Sequence, residues 1–209
     1  FIFSSSSEVY GDQNKKFRET LHPRPKSLYG FSKWQAELLV KDFCLKRKIS
    51  YHYSLTLIVT FFIASFGWEL WMTYGLAGGL PVNLRRSDAL NCAIPLHLNW
   101  LLNSLADVLV VWVGLFLLKI IYINTSPFLK WKWRAFFILL LWFVAQNIYV
   151  EAFLYHLQLG SNGDISWAPF HPLGSRFNPI LFEIMGRPIT LQSQSSWILM
   201  TPLIYYLSI

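Results

Sequence analysis

The chain has 209 residues, of which 54% are hydrophobic and only 14% are charged. Soluble domains carry about 25% charged residues, so this composition excludes an ordinary soluble domain and favours a protein that faces lipid. The formal net charge is +7, but the Lys and Arg residues lie at the edges of apolar segments, where membrane topology accounts for them. We therefore expect no nucleic-acid partner.

The first 50 residues are polar and charged, unlike the rest of the chain. The run 1–12, FIFSSSSEVYGD, predicts a buried strand that ends in a turn, and the run 34–43 has helical periodicity. Tyr29 and Lys33 are four residues apart, so on a helix they lie on one face. A Lys ammonium beside a Tyr hydroxyl favours the phenolate, and such a tyrosine can act as a general base.

The run SSSSEVYGD, followed by PRPKSLYGFSKWQAELLV, resembles the extended short-chain dehydrogenase/reductase family. These proteins are NAD-dependent epimerases and dehydratases of nucleotide sugars. The resemblance implies a partial α/β, Rossmann-type fold over residues 1–50, NAD as cofactor, and a catalytic set of Ser6, Tyr29 and Lys33. Ser7 and Glu8 stand where some dehydratases of the family have an acidic pair, which favours epimerase-like chemistry slightly.

Two parts of the family pattern are missing. No glycine-rich strand-to-helix turn that would hold the cofactor pyrophosphate precedes the serine run, and an apolar run at 55–63 stands where the family has a strand. We therefore expect residues 1–50 to be a truncated fragment that is inactive on its own. Half of a Rossmann sheet would leave open edges. For this reason, and because the composition changes abruptly over 48–54, we favour an artefactual joining of two reading frames over a natural fusion.

Four apolar runs predict transmembrane helices, because each is long enough, or nearly so, to cross a bilayer. They cover about 54–74, 97–122, 135–157 and 195–209. The predicted fold class is therefore mainly α: a polytopic membrane bundle of about four transmembrane helices over 54–209, preceded by the partial α/β fragment. The alternative for each run is a buried core helix, which four such runs with few charges disfavour.

Loop charges predict the orientation of these helices, because cytoplasmic loops are enriched in Lys and Arg. Lys130, Lys132 and Arg134 lie between the second and third runs without any acid, so this loop and both termini are predicted to be cytoplasmic. Cys44 and Cys92 then lie on opposite sides of the membrane, and we expect no disulfide between them.

The two remaining loops are predicted to face outward. In the loop 75–95, Ser87 is predicted to cap a short helix. In the long loop 160–194, the run 180–192 predicts a β-hairpin.

Three acids, Glu69, Asp107 and Glu151, fall within the predicted membrane helices. Each belongs to a polar stripe at four-residue spacing, which places its members on one helix face. The stripes are Glu69 with Thr73; Asn99, Asn103 and Asp107; and Asn147, Glu151 and Tyr155, with Gln146 alongside. The predicted topology places all three in the outer half of the bundle, with His97 and His156 at the outer mouth and His171 in the long loop.

Charged residues in a bilayer are costly and often functional. One hypothesis is an outward-facing pocket for a cation or polar ligand, formed by Glu69, Asn99, Asn103, Asp107, Asn147 and Glu151. The alternative is a network of hydrogen bonds between helices, which we favour for the Asn and Gln side chains. We predict no metal site, because no HxxxH or HxxE pair occurs. The predicted lipid contacts are Trp68, Trp71, Trp100, Trp112 and Trp142.

The sequence thus predicts a multi-pass integral membrane protein with a truncated N-terminal fragment. Its expected partners are the lipid bilayer and either another membrane protein or a second copy of the chain. Two alternatives stay open. One is an NAD-dependent nucleotide-sugar epimerase or dehydratase completed by a missing half, and the other is a membrane-embedded enzyme that uses the three intramembrane acids.

Overall fold

The computed structural model describes residues 4–12, 18, 21–76, 80–123, 126–154, 169–170 and 173–209. Contacts between residues divide the chain into two units, Phe1–Tyr51 and His52–Ile209. The described elements are mainly helical, with one small two-stranded sheet in the second unit.

The first unit begins with a single 3-10 turn at Ser7–Tyr10. Ser6 precedes this turn in extended conformation and its hydroxyl accepts a hydrogen bond from the backbone N–H of Glu8, which satisfies one free donor of the turn. The predicted turn is therefore present, residues 4–12 contain no strand, and residues 1–3, where the predicted strand begins, lie outside the described residues. No Rossmann-type sheet occurs in the described part of this unit.

Helix α1 (Leu28–Phe66) has 39 residues and begins in the first unit. It starts just before Tyr29, as the Tyr29–Lys33 spacing predicts, and it continues without a break through the point where the family pattern stops and the predicted membrane helix begins. Gly67 separates it from α2 (Trp68–Tyr74). Polarity changes along α1, and the contact-based division between the two units, at Tyr51 and His52, falls within this helix.

In the second unit, the long helices are α5 (Leu96–Ile121), α6 (Trp133–Tyr149) and α7 (Leu191–Leu207). A π-helical turn at Val150–Leu154 extends α6. Helix α6 packs against both α5 and α7, and α2 packs against α5. Apolar side chains fill these contacts; the fully buried ones include Val111, Leu115, Leu118, Leu139, Phe143, Ile204 and Tyr205.

Three helical segments in the described part of the chain are long and apolar enough to cross a membrane: Leu28–Tyr74, Leu96–Ile121 and Trp133–Leu154. They contain the first three predicted spans. Helix α7 has 17 residues, slightly below the about 20 that a span needs, so three of the four predicted spans are found at full length.

The second unit has an apolar outer surface and many polar groups inside. Leu109, Leu141 and Leu199 are more than half exposed, whereas the side chains of Thr56 and Thr60 on α1 are buried. Both threonines donate hydrogen bonds to the carbonyl one turn earlier in α1, at 2.7 and 2.8 Å. Helices packed through small polar residues, with leucines outside, are typical of proteins whose solvent is lipid.

Two predicted features of the loops are present. Between α2 and α5 lie two short helices, α3 (Val82–Arg85) and α4 (Asp88–Ala93). Ser87 occupies the N-cap position of α4, but the predicted side-chain cap is wrong, because its hydroxyl makes no capping hydrogen bond.

The predicted hairpin is confirmed as β1 (Ile180–Ile184) paired antiparallel with β2 (Arg187–Thr190). Its two turn residues, Met185 and Gly186, both have positive φ angles, of 53° and 74°. This is the combination that a two-residue hairpin of native twist requires, and Gly186 adopts it without a steric penalty.

Candidate functional site

A polar cavity of about 220 Å³ lies inside the helical bundle of the second unit. It is enclosed by α2, α5, the end of α6 with its π turn, and the start of α7. Its lining residues are Trp68, Glu69, Met72, Asn103, Ala106, Asp107, Val110, Gln146, Asn147, Val150, Glu151, Leu154, Ser193, Ser196 and Trp197. All three predicted intramembrane acids, and five of the six residues proposed from the polar stripes, therefore line one space.

Glu69 lies in the first turn of α2 and is only 5% exposed. One of its carboxyl oxygens, Oε2, is buried and has no hydrogen-bond partner. The Asn103 amide lies within reach of the carboxyl group, and Arg85 is close enough to act on it electrostatically. The Arg85 guanidinium also donates to the backbone carbonyls of Met72 and Leu80. A buried acceptor without a donor costs free energy unless a ligand or a water molecule donates a hydrogen bond to it.

Asp107 lies on the middle of α5, opposite α2. Its Oδ2 accepts a hydrogen bond of 2.8 Å from the indole Nε1 of Trp68. The bond joins α2 to α5 and holds the Trp68 ring at the cavity wall. A tryptophan that was predicted to face lipid is therefore turned inward by an acid on the neighbouring helix.

Glu151 lies in the π turn that follows α6 and is 6% exposed. Its Oε2 accepts hydrogen bonds from the Ser193 hydroxyl at 2.7 Å and from the Gln194 amide at 2.8 Å. The Asn147 amide donates to the Ser193 carbonyl at 2.9 Å. π turns widen the helix locally and are frequent at functional sites. Here the turn carries the third acid and binds the first turn of α7.

The cavity is rich in carboxyl groups. Its described lining includes three carboxyl groups but no Lys, Arg or His. Burying an ionised carboxylate without a compensating charge costs on the order of several kcal/mol of free energy. The arrangement therefore favours either a bound cation or a bound proton at each uncompensated acid. Among the described residues, no three His, Cys, Asp or Glu side chains are grouped so that they could hold a metal ion.

Asn99, the sixth residue of the predicted pocket, lies outside the cavity lining. Its Oδ1 accepts a hydrogen bond of 2.9 Å from Arg86, and its Nδ2 donates to Thr73 at 3.3 Å. Arg86 also donates to the Ile94 carbonyl at 2.6 Å, and its burial lowers the pKa of its guanidinium. Asn99 therefore belongs to a structural network that fastens the loop between α2 and α5 to both helices.

The predicted lipid contacts divide into two groups. Trp112 is exposed, as expected for a lipid contact. Trp100 and Trp142 instead donate their indole N–H to backbone carbonyls of neighbouring helices, at Ser65 and Val110, with distances of 2.7 and 2.9 Å. These two and Trp68 each bond a neighbouring helix, and their role as lipid contacts and anchors stays a prediction.

The predicted outer mouth is described only in part. His97 is exposed and its Nδ1 lies 2.9 Å from the Tyr74 hydroxyl. Tyr155, His156 and His171 lie outside the described residues.

Sequence analysis missed the contribution of α7 to the site. Ser193, Ser196 and Trp197 line the cavity and Gln194 bonds Glu151, but the predicted fourth helix began only at Ser195. The polar run QSQSS at 192–196 was the available signal. A polar first turn on an otherwise apolar helix indicates a surface that meets polar groups.

The residues of the proposed catalytic set lie in the first unit. The Lys33 ammonium stands 5.8 Å from the centre of the Tyr29 ring and donates a hydrogen bond of 3.1 Å to the Ser4 carbonyl. Tyr29 is about half exposed, and the Ser6 hydroxyl caps the 3-10 turn. Tyr29 and Lys33 are thus paired along α1, as their spacing predicts.

Nearby carboxylates bind the serines around this set. The Ser5 hydroxyl donates to Glu37 and the Ser27 hydroxyl donates to Glu8. The described part of residues 1–55 includes no strand followed by a glycine-rich turn, which is the element that holds the NAD pyrophosphate in dinucleotide-binding folds.

Comparison with protein families identifies one match: residues 1–55 match the NAD dependent epimerase/dehydratase family. The match covers about a quarter of the chain and ends within α1. No curated protein matches the chain, and no solved structure matches it either. The match confirms that the N-terminal segment resembles this family. NAD is named here only because the family depends on it.

Proposed function

We propose that this chain is an integral membrane protein that binds a cationic or polar solute in the acid-lined cavity of its helical bundle. In this proposal the bundle crosses the bilayer four times, with both termini in the cytoplasm. The observation that carries it is the convergence of Glu69, Asp107 and Glu151, from three different helices, on one cavity.

The energetics of the bundle support a binding role over a purely structural one. Asp107 and Glu151 have hydrogen-bond partners and would serve a structural network well. Glu69 differs, because its buried Oε2 faces no donor. A network that only held helices together would gain nothing from a third acid with an open acceptor, whereas a solute that carries donors or positive charge would complete it.

The test is solute-dependent stability of the full chain in lipid nanodiscs. Thermal unfolding is followed with Na⁺, K⁺, Mg²⁺, Ca²⁺, small amines and neutral sugars. A solute at a hundred times its dissociation constant should stabilise the folded state by about 2.7 kcal/mol. Glu69→Gln should abolish the shift, and Glu183→Gln, on the exposed β1 strand, is the matched control. If no solute raises the unfolding temperature, the cavity is not a binding site.

The proposed orientation can be tested with the two native cysteines, which are both exposed. A membrane-impermeant maleimide added to intact cells should label Cys92 and leave Cys44 unlabelled until the membrane is permeabilised. Cys44→Ser and Cys92→Ser identify the reacting residue. Labelling of Cys44 in intact cells would contradict the cytoplasmic N-terminus.

A second candidate function comes from the family match: the N-terminal segment takes part in NAD-dependent nucleotide-sugar chemistry together with a further chain that completes the sheet. The pairing of Tyr29 with Lys33 favours it. Titration of the full chain with NADH, followed by the fluorescence of its dihydronicotinamide ring, tests it. Saturable binding that Lys33→Ala removes would support the enzyme, and the absence of binding with and without a co-expressed partner would exclude it.

A further inference from the structure

We propose that the solute of this cavity is a small organic ammonium ion and not a bare metal ion. The inference rests on the proposed function, and it names the chemical class of the ligand. Three observations carry it: the aromatic part of the cavity wall, the unpartnered carboxyl oxygen of Glu69, and the size of the space.

The cavity wall combines acids with tryptophan rings. Trp68 and Trp197 both line it, and their ring centres are 5.9 Å apart with the planes inclined by 51°. Phe143 packs behind Trp197, with ring centres 5.1 Å apart, and is fully buried. Trp is the best aromatic partner for a cation that has shed its water. Indole rings on the same cavity wall as carboxyl groups are suited to an ammonium ion with carbon substituents.

Within the part of the chain that the structure describes, no three His, Cys, Asp or Glu side chains are placed to hold a metal ion together. Asp107 Oδ2 is engaged by Trp68, and Glu151 Oε2 by Ser193 and Gln194. Mg²⁺ and Ca²⁺ require six or more oxygen ligands, whereas a protonated amine needs one carboxylate acceptor and a surface of low polarity. The unpartnered Glu69 Oε2 supplies that acceptor.

The space also exceeds what a single ion fills. A water molecule occupies about 30 Å³ in the liquid, so a cavity of about 220 Å³ has room for several non-hydrogen atoms. A compact amine fits this size, with its charge near Glu69 and its carbon atoms against the indole rings. A primary ammonium donates an N–H to Glu69 Oε2, whereas choline, whose nitrogen has no hydrogen, donates its hydroxyl group.

The experiment measures binding of choline to the full chain in nanodiscs by calorimetry. The comparison compound is 3,3-dimethylbutan-1-ol, which has the same shape and no charge. Methylammonium, Na⁺ and Mg²⁺ are measured in parallel. We expect choline to bind and the alcohol to bind at least tenfold more weakly. The reason is that the carboxyl groups and indole rings of the cavity wall favour a positively charged ligand over a neutral one of the same shape.

Substitutions of the two cavity tryptophans test whether their rings contribute to choline affinity. Trp68→Leu and Trp197→Leu should each weaken choline binding roughly tenfold. Trp68→Phe, which keeps an aromatic face, should retain most of it. Trp112→Leu, at an exposed tryptophan outside the cavity, should leave choline affinity unchanged. If the leucine variants fail to fold, the comparison of choline with its neutral analogue on the unaltered chain decides the question.

The outcomes separate this inference from the proposed function. Binding of Na⁺ or Mg²⁺ without binding of either amine overturns the ammonium class and leaves a cation-binding cavity. Equal binding of choline and the alcohol overturns the ammonium class too, since it shows that charge is not recognised. Absence of binding by every probe overturns both. A loss in Trp112→Leu as large as in Trp68→Leu excludes a specific contribution of the cavity rings.

Discussion

The indole Nε1 of Trp68 donates a hydrogen bond of 2.8 Å to Oδ2 of Asp107 and thereby joins helix α2 to helix α5. Nearer the loop between these helices, Asn99 of α5 donates a hydrogen bond to Thr73 of α2. Arg86, in that loop, donates a hydrogen bond to Asn99. The two helices are therefore connected by successive polar contacts in a bundle whose outer surface is apolar. Because such contacts have no competing water in a bilayer, they fix the rotation of each helix.

Loss of the Trp68–Asp107 hydrogen bond should destabilise the bundle. Trp68→Phe keeps an aromatic ring but leaves the Asp107 acceptor without its donor, at a cost of about 1–3 kcal/mol. Unfolding in nanodiscs by heat or by denaturing detergent measures the loss. Trp112→Phe, at an exposed site on α5, is the control and should change stability little. Equal stability of the two variants would show that the bond has no structural value.

At Glu151 the oxygen acceptor should matter more than the negative charge. Glu151→Gln retains an acceptor for the Ser193 hydroxyl and the Gln194 amide, whereas Glu151→Ala leaves both donors buried. We expect the alanine variant to lose about 1–3 kcal/mol more stability than the glutamine variant. Paired unfolding curves provide the measurement. The opposite order would indicate that Glu151 must be ionised for the fold.

Gly114 lies at a close contact between α5 and α6. A Cβ atom at this position would lie 2.8 Å from Cδ1 of Trp142 and 3.1 Å from Cδ2 of Leu139. Gly114→Ala should therefore push the helices apart and cost about 1–3 kcal/mol by overpacking. The unfolding temperature of the variant measures the effect, and Leu109→Ala, on the exposed face of α5, serves as the comparison. An unchanged unfolding temperature for Gly114→Ala would mean that the helices do not pack this closely.

An exposed ion pair in the first unit predicts a pH effect. Lys26 Nζ lies 2.7 Å from Asp12 Oδ2, and its hydrogen bond and charge hold the pKa of Asp12 below the usual 3.8. A lowered carboxyl pKa adds stability above pH 3.8, and this is lost as the pH falls through the folded-state value. Because both side chains are exposed, salt should weaken the pair.

Lys26→Met should raise the Asp12 pKa toward 3.8, as measured by carboxyl-carbon chemical shifts in an aspartate-labelled sample. Lys46→Met, which removes a lysine paired with Asp42, is the control for the change of net charge. A pKa of Asp12 that stays low in Lys26→Met would assign the shift to another group.

The sequence by itself determined where the backbone is helical over much of residues 54–209. Apolar length alone set the positions of α5 and α6 to within a few residues, and the run 180–192 predicted the hairpin, although its second strand is Arg187–Thr190 and α7 begins at Leu191. The Tyr29–Lys33 pair followed from helical spacing, and the family motif around it was matched over residues 1–55. These are local properties, fixed by side chains within one or two turns of each other.

Only the tertiary structure decided which polar residues share a cavity. Asn99 and Asn103 lie one turn apart on α5, yet only Asn103 lines the cavity, while Ser193 and Trp197 join it from α7. A stripe fixes one face of a helix, but which neighbour meets that face depends on how all the helices pack. In lipid, apolar pattern gives little guidance on this rotation, because leucine is as favourable against lipid as against another helix. Close contacts such as Gly114 against Trp142, and bonds such as Trp68 to Asp107, supply the missing specificity.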